Sequence, residues 1–260
     1  MLSATSAISL YTRQASRLEK AVANDAQVKR ETEYFLANIS SIKTAADLVK
    51  NPRLLNVATK AFGLSDMAYA KAFLTKLMDG GLTNSKSMAN TMVDRRFRAF
   101  VETFNFGDLK QATTLISARM QGVVDNYKRQ VLEDRAGATN PAARLALFFQ
   151  RQAPNIDSGM DFLADKALTQ FVQTALAMPA APLSTNEALR SAAAMIERRI
   201  DFDDLKTPAG VEKLTKRFAA MWDLTNPTDN GANALTSLLG TSSSTTYSTL
   251  LQLQRKYSGV

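Results

Sequence analysis

Nowhere in the 260 residues does clean alternation between apolar and polar, the period that a half-buried strand requires, run past six positions. Only 11 glycines and 7 prolines interrupt the chain, and good helix formers fill the stretches between them. A chain patterned in this way is directed to helices. The expected fold is all-α, a multi-helix, bundle-like assembly with no sheet. Its length is enough to bury a full core, as one large or two modest domains.

The clearest punctuation lies in residues 41–108. Asn51-Pro52 opens a helix, with Asn as N-cap and Pro at the first helical position. Leu54, Leu55, Ala58 and Phe62 then make one apolar face, and Gly63 closes the helix. Just upstream, Thr44-Ala-Ala-Asp47 is a capping-box pattern. Ser65 is the expected N-cap of a helix over 66–79, with Ala70, Phe73, Leu74 and Leu77 inward and Gly80-Gly81 as its stop. A short helix over 85–93 leads into 94–105, where Phe97, Phe100, Val101 and Phe104 fall at core spacing.

On the N-terminal side, residues 6–39 read as one long helix or two, preceded by a frayed Ser/Thr-rich start over 1–8. Tyr34, Phe35 and Ile39 turn inward. On the C-terminal side, 109–134 is the longest unbroken helical pattern, with Ala112, Ile116, Met120, Val123, Tyr127 and Val131 on its buried side. Gly137 to Asn140 reads as a loop. Pro141 starts a helix that carries Leu145, Phe148 and Phe149 inward and that Pro154 ends. Residues 158–177 are helical, with Phe162, Phe171 and Val172 inward, and Met178 to Leu183 is the linker candidate. Ser184-Thr-Asn-Glu187 is a strict capping box for 186–199. Thr207-Pro208 opens a helix lined by Val211, Leu214, Phe218 and Trp222. Asn226 to Gly231 is a turn cluster, and a Ser/Thr run precedes a last helical segment over 250–256. The division expected is an N-terminal amphipathic helix (1–30), a helical subdomain (31–108), a long-helix segment (109–177) and a C-terminal helical segment with a Ser/Thr-rich tail (178–260).

Composition removes whole classes of chemistry. There is no Cys and no His, which excludes thiolate nucleophiles, disulfides, Cys-ligated metals and the Ser-His triad. Neither G-x-G-x-x-G nor a Walker-type phosphate loop occurs. Asp201, Asp203 and Asp204 form the tightest carboxylate cluster; acids leading into a helix N-terminus account for it without a metal. The expectation is therefore no enzyme, no cofactor and no small-molecule substrate. The net charge of +8 suits nucleic acid or an acidic partner, but the basic residues are dispersed, and Arg95-Arg96 sit beside Asp94. In Arg95-Arg96-Phe97-Arg98 the phenylalanine is at core spacing, so the cluster reads as core inside and arginine outside. No stretch reaches the ~20 apolar residues of a membrane span. The first residues lack a basic region before their apolar run and are read as no secretory signal.

One surface stands out as a partner-binding candidate. Tyr11, Ala15, Leu18 and Val22 step by four, three and four and make a narrow stripe suited to another helix, in a partner or in a second copy. Packing inside the same chain is the default reading of the same stripe.

Several spaced motifs then agree with a known family. Lys29 to Ile39, Thr44 to Val49, Pro52 to Ala58, Ala61-Phe-Gly-Leu64, Lys71 to Leu74 and Asp94 to Arg98 resemble the domain of unknown function 1217 family, across about residues 10–108. That family is found largely in alphaproteobacteria, often near flagellar genes, and brings no catalytic residues. The resemblance implies a non-enzymatic structural or assembly protein of the flagellum, with other flagellar or assembly proteins as partners and the flagellum or the cytoplasm as its place. A basic cytoplasmic regulator or nucleic-acid-binding module is the alternative.

Overall fold

The computed structural model describes residues 2–179 and 184–226. Among them there is no strand, and the fold is all-α. The N-terminal arm is three helices, α1 (Ala4–Arg13), α2 (Ala15–Asn24) and α3 (Ala26–Asn38), where the sequence pattern suggested one or two. The second break has a local cause. Asp25 takes extended backbone and accepts from the Gln27 and Val28 amides, which makes it the N-cap of α3. The expected fraying of residues 1–8 is corrected as well. Ser3 caps α1, and Ala4, Ala7 and Ile8 are buried.

Next come α4 (Ala45–Lys50) and α5 (Pro52–Ala61). Thr44 and Asp47 form the capping box at the head of α4, and Asn51 caps α5. Gly63 (φ +69°) ends α5 in a Schellman motif, with Leu64 N–H donating to Thr59 O and Gly63 N–H to Lys60 O. The helix expected over 66–79 is split into a 3₁₀ turn at Ser65–Met67 and α6 (Lys71–Asp79), because Ala70 leaves helical geometry. Short α7 (Met88–Thr91) precedes α8 (Arg95–Thr103), which Asp94 caps.

The pattern expected over 109–134 is divided into α9 (Phe106–Leu109), α10 (Ala112–Leu115) and the 23-residue α11 (Ser117–Thr139). As a result Ala112 and Ile116 lie outside α11 and face solvent, Ile116 with 44% of its surface, while Met120, Val123, Tyr127 and Val131 are buried as expected. Gly137 and Ala138 belong to α11 and make no loop; Asn140 alone separates it from α12 (Pro141–Gln152). Then follow α13 (Gly159–Leu163), α14 (Lys166–Ala175), α15 (Asn186–Glu197) and α16 (Pro208–Thr225). The cap of α15 is Thr185, whose side chain accepts from Ala188 N–H, one residue on from the Ser184 box read from sequence. Thr207 with Pro208 heads α16 as expected. Part of the linker candidate, most of the turn cluster and the last helical segment lie outside the described residues.

α11 is the spine. α5, α2 and α3 pack along it, α12 packs antiparallel to it through the one-residue turn, and α1 crosses onto α12 and α16. Phe62, Phe100 and Phe104 form one aromatic group. Phe149, Phe171 and Phe218 form another, stacked with centroids 4.0 and 4.4 Å apart. Buried side chains from Ala4 to Ala219 make one continuous cluster. No described helix is long and apolar enough to cross a membrane.

Candidate functional site

A cleft of about 710 Å³ lies over α11. Its floor is the polar side of α11, with Gln130, Glu133, Asp134 and Gly137. One wall comes from the end of α5 and the start of α8, with Gly63, Asp66 and Arg96. The other comes from α12 and α14, with Arg144, Phe148, Asp165 and Gln170. Local structure places each group. Gly63 is where it is because α5 needs a left-handed end, and Arg96 is in the first turn that Asp94 caps. Asp165 is the N-cap of α14 and accepts from the Ala167 and Leu168 amides.

The charges are largely satisfied from within. Glu133 is buried and takes a two-pronged contact from Arg151, Nε to Oε1 at 2.7 Å and Nη2 to Oε2 at 3.1 Å. Burial pushes the Glu133 carboxyl up, against the opposing pull of Arg151. Asp134 is held by Lys60 at 2.8 Å and by Arg144 at 3.3 Å. Arg96 donates to Gly63 O at 2.7 Å, grips Asp94, and lies 3.5 Å from Asp165. Burial opposes its charge, but Asp94, Asp165 and Asp66 more than offset that and raise its basicity. Gln130 Oε1 differs: it is buried and has no hydrogen-bond partner.

The residues singled out from sequence go elsewhere. The stripe Tyr11, Ala15, Leu18, Val22 spans α1 and α2 and turns onto this chain's own core. Tyr11 and Val22 are buried, Leu18 packs against the core and Ala15 is half-buried; Tyr11 Oη lies 3.1 Å from Thr139 Oγ1. The arginines of the 95–98 cluster each meet a carboxylate, Arg95 with Asp161, Arg96 with Asp94, and Arg98 with Glu102. In the acidic cluster Asp201 accepts from Asp203 N–H, and Asp204 lies 3.6 Å from Lys213. No group of three or more acidic side chains among the described residues is arranged to hold a metal. The cleft itself was not read from sequence. Gly63 and the Asp94-Arg96 pair were recognised, but only as a helix end and as balanced charge.

A family model, "Protein of unknown function (DUF1217)", matches residues 61–211. The chain belongs to this family. Both walls and the floor of the cleft fall inside the matched segment, whereas motifs before residue 61 lie outside it. The crystal structure of a protein from Agrobacterium tumefaciens, a structural genomics target, is similar at 40% identity and a TM-score of 0.78, over 85% of this chain and 94% of that one. No curated protein matches this chain. What the structure from Agrobacterium tumefaciens supports is a common fold carried by a common sequence, in accord with the alphaproteobacterial resemblance.

Proposed function

We propose that this DUF1217 protein is a non-enzymatic structural or assembly component associated with the bacterial flagellum, acting through contacts between its helices and other proteins. One observation carries the non-enzymatic part. The two carboxylates on the floor of the cleft, Glu133 and Asp134, are each tied to a cation of the same chain, at 2.7 and 2.8 Å. A general acid or base needs a group free to exchange its proton with a substrate. The flagellar part rests on the family resemblance. The Tyr11 to Val22 stripe is engaged internally, so contact surfaces are better sought on side chains that remain in solvent, such as Tyr69, Val93 and Leu115.

An in-frame deletion in a flagellated host that carries the gene tests this reading. Smaller swimming zones in soft agar, restored by the gene supplied in trans, are expected. Normal swimming with normal filaments overturns it. The net charge of +8 supports a second reading, a regulator that binds nucleic acid. Salt-sensitive retention on DNA or RNA favours that reading, and passage through both columns at low salt ends it.

A further inference from the structure

The two walls of the cleft meet across ion pairs supplied by the leading arginines of α8. Arg95 Nη2 lies 2.5 Å from Asp161 Oδ1 in α13, and Arg96 Nε lies 3.5 Å from Asp165 Oδ2 at the head of α14. The two ends of the first pair are in different surroundings. Asp161 is 6% exposed and its Oδ1 accepts no well-directed hydrogen bond, so the charge on Arg95 is what balances it. The Arg95 side chain is 67% exposed, within reach of water and dissolved ions. Below the pairs, Gln130 is 4% exposed and its Oε1 is unpaired. The paired arrangement thus joins contacts that salt weakens to a buried carbonyl that water would satisfy.

We infer that the Arg95–Asp161 and Arg96–Asp165 pairs form a salt-sensitive latch across the cleft, holding its walls together above Gln130 and releasing them when the charges are screened. α5 and α12 each pack on α11; α8 joins the first through the Phe62, Phe100 and Phe104 group, and α14, which carries α13, packs on the second. Release of the pairs therefore moves the head of α8 away from α13 and α14 over a shared core, a shift between two packed states. The favoured state is set by the balance between the ion pairs and hydration of the floor.

The chain has no cysteine, so two introduced thiols can be labelled without background. Ser65→Cys and Gln170→Cys are exposed positions on opposite sides of the cleft. Spin labels there, in the full chain, report the separation of the walls by double electron–electron resonance. Raising salt from ~0.01 M to ~1 M shortens the screening length from ~30 Å to ~3 Å and is expected to add a population at longer distance. R95Q/R96Q is expected to show that population already at low salt, and R95Q alone a smaller fraction of it. A distance distribution that stays the same across the salt series overturns the latch. So does a salt response that survives unaltered in R95Q/R96Q. If the double variant loses its helical signal, the salt series and R95Q, which changes an exposed side chain, decide the matter.

Discussion

Asp108 closes over Gly81. A Cβ added to Gly81 would lie 2.5 Å from Asp108 Oδ1, and the same carboxylate accepts from the Leu82 amide at 2.7 Å and the Thr83 amide at 3.2 Å. Asn105 Nδ2 adds a third donor at 2.9 Å. Gly81 is itself in the left-handed region (φ +60°), so it satisfies two demands at once, a backbone turn and the close approach of an acid. Replacing it with alanine is expected to cost at least the ~1–2 kcal/mol of a left-handed alanine, with the clash added. A thermal melt of Gly81→Ala showing an unchanged midpoint would contradict this.

The same clamp gives a pH dependence. The Leu82 amide, then Asn105, hold the Asp108 carboxyl down at about 2, from an ordinary 3.8. A depressed carboxyl stabilises the fold above its unfolded pKa, and that contribution fades as pH falls from about 4 towards about 2. Asp108→Asn should therefore flatten the acid side of a stability curve measured by denaturant titration. An acid limb as steep as that of the unaltered chain would count against the assignment.

Glu133 behaves in the opposite sense. Its carboxyl is raised by burial, so the folded state holds the proton more tightly than the unfolded chain does, and stability falls as pH rises above the ordinary 4.5. Removing its partner strands a buried negative charge, so Arg151→Ala is expected to cost ~3–5 kcal/mol. Replacing both, as Glu133→Leu with Arg151→Met, leaves no stranded charge and should cost less than Arg151→Ala alone. Equal losses in the two proteins, measured by chemical denaturation, would show that the pair is not what the site depends on.

The first and last described helices are joined by one carboxylate. Asp223 in α16 accepts from Ala4 N–H at 2.6 Å, Thr5 N–H at 3.0 Å and Thr5 Oγ1 at 2.7 Å. It thus supplies acceptors and negative charge at the N-terminus of α1, across 219 residues. Asp223→Ala is expected to destabilise by ~0.5–2 kcal/mol, the range of a lost N-cap. Amide exchange should quicken first in α1, and exchange that speeds up uniformly or not at all would argue for a different role.

Two helical glycines should respond in opposite ways to alanine. A Cβ on Gly122 in α11 would meet nothing within 4 Å, so Gly122→Ala is expected to stabilise by ~0.5–1 kcal/mol through helix propensity. On Gly159 the added Cβ would run into the backbone of Ala193, where α13 lies against α15. Gly159→Ala must push those helices apart and is expected to destabilise. Melting temperatures that move in the same direction for both would refute the packing argument.

What could be read without coordinates is what one helical turn decides. The Thr44–Asp47 box, the Asn51-Pro52 start, the left-handed Gly63 and the Thr207-Pro208 start are settled by hydrogen bonds among residues a few positions apart, and the structure has each of them. The 3.6-residue period likewise marked Phe97, Phe100 and Phe104 as core. Periodicity tells which side of a helix is apolar and is silent on what covers that side. Ile116 shows this: it continued the stripe of α11 on paper, but the chain bends before Ser117 and leaves it in solvent. Gly137 looked like a loop and is held inside α11, where Arg144 of α12 covers it.

The cleft was illegible for the same reason. Arg96 meets the Gly63 carbonyl 33 residues away, Glu133 meets Arg151 18 residues away, and Gln130 is unpaired only because of how α5, α8 and α11 come together. Local hydrogen bonding and helix propensity, written into neighbouring residues, determined that this chain is helical and where many of its helices begin. Which arginine neutralises which aspartate, which apolar stripe is covered and where a cleft is left open were decided by the packing of helices far apart in sequence. Those partners are selected by the shape and burial of the whole core, a quantity that no short stretch of residues contains.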